Sequence, residues 1–152
     1  MENKEYNGRF FEVSLKYGKQ TEDGEKIVKE LVCVQAESFG DAEQAAIKNM
    51  QPYVAKGYEF GIENVININP AQYKTVFESE DDGEKFYKCK LSRLIDGENT
   101  DKIKKAIEYY LVQAGNFDKA KSFVNELTNS YMDDYTILQV SETSITNVFL
   151  WK

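Results

Sequence analysis

The sequence contains no histidine. Histidine is the side chain best suited to proton transfer near neutral pH and the commonest ligand of transition metals. Its absence also excludes nucleophiles that are activated by a neighbouring histidine. No Walker pattern and no Gly-x-Gly-x-x-Gly loop occurs, and no pair of carboxylates stands where acid–base chemistry would require it. We therefore expect a non-catalytic protein that has no catalytic residues and binds no cofactor and no metal.

Long apolar runs are also absent: none approaches the roughly 18–20 residues that a membrane-spanning helix needs. The first eight residues are polar and do not resemble a signal peptide. Hydrophobic residues make up 41% and charged residues 30% of the chain, as is ordinary for a water-soluble globular protein. The sequence thus predicts a cytoplasmic protein without a membrane partner.

Cysteine is scarce, with Cys33 and Cys89 as its two occurrences. A disulfide framework would need more cysteines and a secretory context. Both lie in apolar, strand-like runs, so we expect buried free thiols in a reducing compartment.

The net charge of −7 is distributed unevenly. Residues 1–83 hold 9 Lys and Arg against 16 Asp and Glu, whereas residues 84–152 hold 10 of each. Only the second half therefore lacks an electrostatic barrier to polyanions.

Two stretches of the chain, 9–77 and 85–152, carry the same order of motifs. Each opens with a strand in which apolar residues alternate with polar ones, which is typical of a strand buried on one side. The apolar positions are Phe11, Val13 and Leu15 in the first stretch and Tyr87, Cys89 and Leu91 in the second. A polar turn and a second strand follow in both, which predicts a hairpin.

The middle of each stretch repeats the pattern Val-Gln-Ala-x-x-Phe-x-x-Ala. Ser38 and Asn116 occupy the same place in this pattern and are good helix N-caps. Apolar residues at a spacing of three and four then predict a helix with one apolar stripe. The later elements are a strand at 58–62 or 135–140 and a short closing strand at 75–77 or 147–149.

We therefore predict an α+β fold made by tandem duplication of a ββαβ(β) unit, with antiparallel sheets and one helix per repeat. The predicted divisions are a polar N-terminal tail (1–8), the first repeat (9–77), an acidic connector (78–84) and the second repeat (85–152). A unit of about 70 residues is marginal as an independent core. The two repeats are accordingly expected to pack as one globular domain about a pseudo-twofold axis.

These motifs, together with the closing Ile145–Phe149, resemble an uncharacterised family of small Bacteroidota proteins that is known as a domain of unknown function. The resemblance extends over the chain except its first eight residues. It implies no catalytic residues. The Asn-, Lys-, Ile- and Tyr-rich composition also resembles that of phages of such hosts, and for a phage gene the predicted location is the cytoplasm of the bacterial host.

Basic residues concentrate at the start of the second repeat, near aromatic residues. Single-stranded nucleic-acid binders combine cations with aromatic stacking platforms on a sheet. Alternatively, the lysines protect a strand edge from aggregation. The residues of this possible nucleic-acid or partner face are Lys85, Phe86, Lys88, Lys90, Arg93, Lys102, Lys104 and Lys105.

Three aromatic residues are possible protein contacts: Phe10, Phe149 and Trp151. Aromatic side chains of this kind either dock into a core or anchor a partner.

The leading functional hypothesis is a protein that binds a protein partner or copies of itself, because unpaired strand edges favour edge-to-edge association. The alternative is a single-stranded nucleic-acid-binding accessory protein that uses the second repeat. A third hypothesis is a phage inhibitor of a host defence enzyme.

Overall fold

The computed structural model describes residues 3–55, 57, 65–79, 85–96, 103–130 and 134–150. Over these ranges the chain is α+β, as the sequence predicts, and it has two sheets and two α-helices. The prediction of antiparallel sheets is wrong in one respect, because each sheet also contains one parallel pair of strands. The strands are β1 (Asn3–Asn7), β2 (Phe10–Thr21), β3 (Gly24–Gln35), β4 (Val65–Pro70), β5 (Thr75–Ser79), β6 (Lys85–Asp96), β7 (Ile103–Ala114), β8 (Tyr135–Glu142) and β9 (Ile145–Phe149). The helices are α1 (Phe39–Met50) and α2 (Phe117–Asn129), and a 3₁₀ turn at Gln51–Tyr53 follows α1.

The β2–β3 unit comprises Gly8–Ala71 and Ser144–Lys152. Its sheet has the strand order β4-β2-β3-β9, and β9 runs parallel to β3. β2 and β3 remain paired as far as Thr21 and Gly24, which leaves a turn of two residues between them. Gly24 has φ +102°, a backbone conformation that favours glycine. The apolar stripe of α1 packs on the sheet through Ala42, Ala46 and Met50.

The β6–β7 unit comprises Met1–Asn7 and Gln72–Thr143. Its sheet has the strand order β1-β5-β7-β6-β8, and β5 runs parallel to β7. Helix α2 packs on one side of this sheet, which we call the helix face; the other side is the second face. Residues from β5, β6, β7 and α2 form the core of the helix face: Phe77, Cys89, Leu91, Tyr110, Val112 and Val124.

Both helices begin where the sequence predicts. The Ser38 hydroxyl accepts a hydrogen bond from the Asp41 amide at 3.1 Å, and the Asn116 side chain accepts one from the Lys119 amide at 2.8 Å. These bonds satisfy amide groups that the first helical turn leaves without partners. The aromatic residue after each cap is about half-exposed: Phe39 at 50% and Phe117 at 45%.

The unit boundaries differ from the predicted repeat boundaries at the closing strands. β5, which closes the first repeat in sequence, pairs with β7 of the β6–β7 unit. β9, which closes the second repeat, pairs with β3 of the β2–β3 unit. Each hairpin is thus completed by the closing strand of the other stretch of sequence. Motif order alone cannot reveal this exchange, because it does not specify which hairpin a short strand joins.

Other segments also depart from the predicted divisions. The polar residues 3–7 form the edge strand β1, paired antiparallel with β5, rather than a tail. An edge strand can be polar because its backbone supplies the pairing. Residues 78 and 79 of the predicted connector belong to β5. The rest of the connector and the predicted strand at 58–62 lie outside the described residues.

The thiols of Cys33 and Cys89 are both buried. Burial raises the pKa of the Cys89 thiol to about 12, because the thiolate would lose its hydration. Within the described ranges, no helix is long and apolar enough to cross a membrane.

Candidate functional site

The predicted basic residues of β6 do not share one face. β6 lies between β7 and β8, so it is not an edge strand and its lysines do not protect an edge. Lys85 and Arg93 lie on the helix face, where each meets a carboxylate. The Lys85 Nζ is 3.1 Å from Glu142 Oε1, and the Arg93 Nε is 3.3 Å from Glu108 Oε1.

Lys88 and Lys90 lie on the second face, together with Lys105 of β7, which pairs in register with Leu94. The Lys88 Nζ is 5.5 Å from the centroid of the Tyr109 ring, a cation–π contact that directs the ammonium group toward β7. The structure therefore brings three of the eight predicted positions together as exposed or partly exposed cations.

The other predicted residues contribute less to this surface. Phe86 lies on the second face but is buried, with 5% exposure. The backbone of Lys104 belongs to β7, opposite Ile95. Lys102 and Trp151 lie outside the described residues. Phe10 is buried at 1% exposure, and Phe149 packs against the core of the β2–β3 unit.

Among the described strands, the edge of β7 on the side of β5 is largely without a partner. β7 is 12 residues long, whereas β5 pairs with it only from Tyr110 to Val112. In the described part of the chain, no strand pairs with Ile103–Tyr109 on that side. Ile107, in the middle of this open edge, is 48% exposed. An unpaired strand edge with an exposed apolar side chain is a template for another strand.

A cleft of about 440 Å³ lies beside this open edge. Its walls include Ile107 and Tyr109 from the second face and Glu108 and Tyr110 from the helix face, so it spans both sides of β7. The remaining lining residues precede or begin β5, or belong to β8: Gln72, Lys74, Thr75 and Tyr135.

Glu108 is the carboxylate of the cleft, and two neighbours on the helix face engage it. Besides Arg93, the Tyr110 hydroxyl donates a long hydrogen bond of 3.4 Å to Glu108 Oε2. Lys74, an exposed residue, supplies a positive charge to the same cleft. Glu108 thus already has Arg93 as a cationic neighbour, and Lys74 adds a further positive charge to the cleft.

In the β2–β3 unit, the described strands likewise leave Gly24–Glu30 of β3 without a partner on the side of β9, but there the glutamate bonds to a residue of the closing strand. Glu30 of β3 accepts a hydrogen bond from the Tyr17 hydroxyl at 2.7 Å and one from the Thr146 hydroxyl at 3.0 Å. β9 pairs with β3 from Leu31 onward, and Thr146 comes from β9 itself. Burial, and next the bond to Glu30, raise the pKa of the Tyr17 hydroxyl far above its usual range.

The sequence did not predict the open edge of β7. The lengths of the two strands nevertheless contain a signal. A strand of 12 residues, 103–114, cannot be paired along its whole edge by a closing strand of five residues. Finding it requires knowing that β5 is the neighbour of β7. In the described ranges, no group of three or more Asp, Glu, His or Cys side chains is arranged to hold a metal ion.

Comparisons with known proteins give one family. The model of a domain of unknown function (DUF4494) matches residues 9–151. No curated protein and no solved structure matches the chain. The match confirms the resemblance to an uncharacterised family. The chain therefore belongs to the DUF4494 family.

Proposed function

We propose that this protein is a non-catalytic binding protein, which captures an extended segment of another protein by adding it as a strand to the open edge of β7. The observation that carries the proposal is the coincidence, within the described residues, of a strand edge that no other strand pairs, an exposed Ile107 and an adjoining cleft. In strand addition, the main chain supplies affinity and pockets for alternate side chains supply specificity.

The charges of the edge favour a different protein over a second copy of this chain. The open segment carries Lys104 and Lys105 beside the single carboxylate Glu108, which has Arg93 as its neighbour. Pairing two copies of this segment would place an excess of positive charge on both strands, and like charges across a strand pair are destabilising. Lysine at an edge is a common device against self-association.

A peptide-display selection tests the proposal. Random peptides of about twelve residues are selected on the full chain, and the selected peptides are then measured on Ile107→Glu and on the matched control Ile27→Glu. Ile27 is 69% exposed and lies on the hairpin of the β2–β3 unit. We expect peptides that lose affinity for Ile107→Glu and keep it for Ile27→Glu, with circular dichroism confirming that both variants fold.

Two results would contradict the proposal. One is a selection from which every peptide binds both variants equally. The other is self-association, seen by light scattering coupled to size exclusion as a dimer of the wild type that Ile107→Glu dissociates.

Single-stranded nucleic acid is a second candidate, which the contact of Lys88 with the Tyr109 ring favours. Such a contact places a cation beside an aromatic platform, as single-strand binders do. This function predicts binding to an oligonucleotide that weakens steeply with salt and is lost in Lys88→Glu with Lys90→Glu. Against it stand the two basic residues of β6 that lie on the helix face beside carboxylates.

We also infer that the two units arose by tandem duplication. Each contains a long hairpin followed by an N-capped helix, and each receives a parallel closing strand. Aligning Val34 with Val112 also aligns Glu30 with Glu108, and in both units this glutamate has a partner on the first strand of the hairpin, Tyr17 or Arg93. If either stretch of sequence, expressed alone, folds as a dimer, this result would support an ancestor with a single unit that was later duplicated.

A further inference from the structure

We infer that the segment captured by the β7 edge is acidic, with the pattern acidic-x-aliphatic-x-acidic. This inference rests on the proposed strand addition and specifies its ligand. It follows from the side chains that β7 presents on its second face, because an added strand would place alternate residues opposite them.

The second face of the open edge has an apolar centre between two basic positions. Ile107 lies at the centre, with Lys105 two residues before it and Tyr109 two residues after it. The ammonium group of Lys88 lies over the Tyr109 ring, 5.5 Å from its centroid. A strand beside β7 would therefore meet positive charge, an exposed aliphatic surface and positive charge again, at intervals of two residues.

The cleft has the same electrostatic preference. Lys74 lines it without belonging to the β7 edge, whereas Glu108, its carboxylate, lies 3.3 Å from the Arg93 guanidinium. The two carboxylates of such a ligand would lie on the two sides of Ile107, one near Lys105 and the other near Lys88, and Lys74 adds positive charge beside the cleft. Lysines in place of these carboxylates would be repelled by the same groups. Complementary charges of this kind set partner choice and association rate.

The pattern reads the same in both chain directions. A ligand strand that runs parallel to β7 and one that runs antiparallel both place the aliphatic residue opposite Ile107 and the carboxylates on either side. A palindromic probe therefore tests the inference without knowledge of the strand direction.

The experiment uses three fluorescein-labelled peptides that differ at two positions: Thr-Glu-Thr-Val-Thr-Glu-Thr, its Gln counterpart and its Lys counterpart. Binding to the full chain is measured by fluorescence anisotropy at low and at physiological salt. We expect the Glu peptide to bind about tenfold more tightly than the Gln peptide at low salt, the Lys peptide to bind least, and added salt to reduce the difference.

Charge reversal supplies the sharpest arm. The variant Lys88→Glu with Lys105→Glu should reverse the order and prefer the Lys peptide. The matched control changes Lys16 and Lys29, which face each other in the hairpin of the β2–β3 unit, to Glu, and it should keep the wild-type order. Circular dichroism checks that both double variants fold. If the variant with Glu at positions 88 and 105 does not fold, Lys88→Gln with Lys105→Gln replaces it, and this neutral variant should bind the Glu and Lys peptides equally.

Several outcomes would overturn the inference. Equal binding of the Glu and Gln peptides would show that the ligand is not selected for acidic residues. Strand addition itself would then be judged by the peptide-display selection. Absence of binding by all three peptides would likewise contradict the inferred acidic pattern. Binding of an oligothymidylate in place of the Glu peptide, lost in the Lys88 and Lys105 variant, would assign the surface to single-stranded nucleic acid instead.

Discussion

Replacing Phe77 by alanine tests which hairpin the closing strand β5 stabilises. Phe77 belongs to the first stretch of sequence, but its side chain is 3% exposed in the core of the β6–β7 unit. Its ring contacts Phe123 and Tyr110 edge-to-face, with centroids 5.1 Å and 5.5 Å away. Phe77→Ala would leave a cavity between β5, β7 and α2.

The expected cost follows from the burial of the ring. A fully buried phenylalanine replaced by alanine lowers the free energy of unfolding by about 3–5 kcal/mol. Phe117, in the same unit, is 45% exposed, so Phe117→Ala should cost only about 1 kcal/mol and serves as the matched control. Urea denaturation of the two variants measures both differences.

Hydrogen exchange shows where the loss is felt. If β5 completes the β6–β7 unit, Phe77→Ala should speed amide exchange in β6 and β7, by about a hundredfold or more for the most protected amides. The amides of β2 and β3 should change much less. Faster exchange confined to β2 and β3 would refute the assignment of β5, since that result would place the closing strand with the first hairpin.

Three further predictions concern other contacts. Tyr17→Phe should make the free energy of unfolding depend less on pH under alkaline conditions. The pKa of Tyr17 is raised on folding, so the wild type keeps the resulting stabilisation below about pH 10 and loses it as the pH rises. Urea denaturation of both proteins at pH 8 to 11 measures the difference. Asn116→Ala removes the cap of α2 and should cost about 1 kcal/mol in urea denaturation, whereas Asn125→Ala, exposed on the same helix, should cost much less. Gly24→Ala should cost about 1 kcal/mol or more in thermal unfolding, because φ at Gly24 is +102°, and equal stability of the two proteins would contradict this.

The helices and hairpins could be predicted from the sequence because their signals are local. Ser38 and Asn116 cap the helices as expected, and alternating residues such as Val13 and Cys89 are buried on one side of their strands. Period, caps and turn residues act within a few positions of one another, so a single sequence contains them.

The exchange of the closing strands could not be predicted in this way. Short strands such as Thr75–Ser79 and Ile145–Phe149 carry too little pattern to specify a neighbour, and both hairpins offer an apolar second strand. The site depends on this pairing, because the open edge exists only where β5 stops at Tyr110. The basic residues predicted on β6 do not form one surface for a simpler reason. Successive residues of a strand point to opposite faces, so the odd-numbered residues 85 and 93 lie on the face opposite to the even-numbered residues 88 and 90.

The central claim is that an extended segment adds to the open edge of β7, and hydrogen exchange on the complex with a selected peptide tests it most directly. We predict that the peptide slows amide exchange within Ile103–Tyr109 and leaves Gly24–Glu30, the part of β3 that β9 does not pair, unchanged. Protection that falls on β3, on the helices or on no segment of β7 would contradict strand addition at this edge.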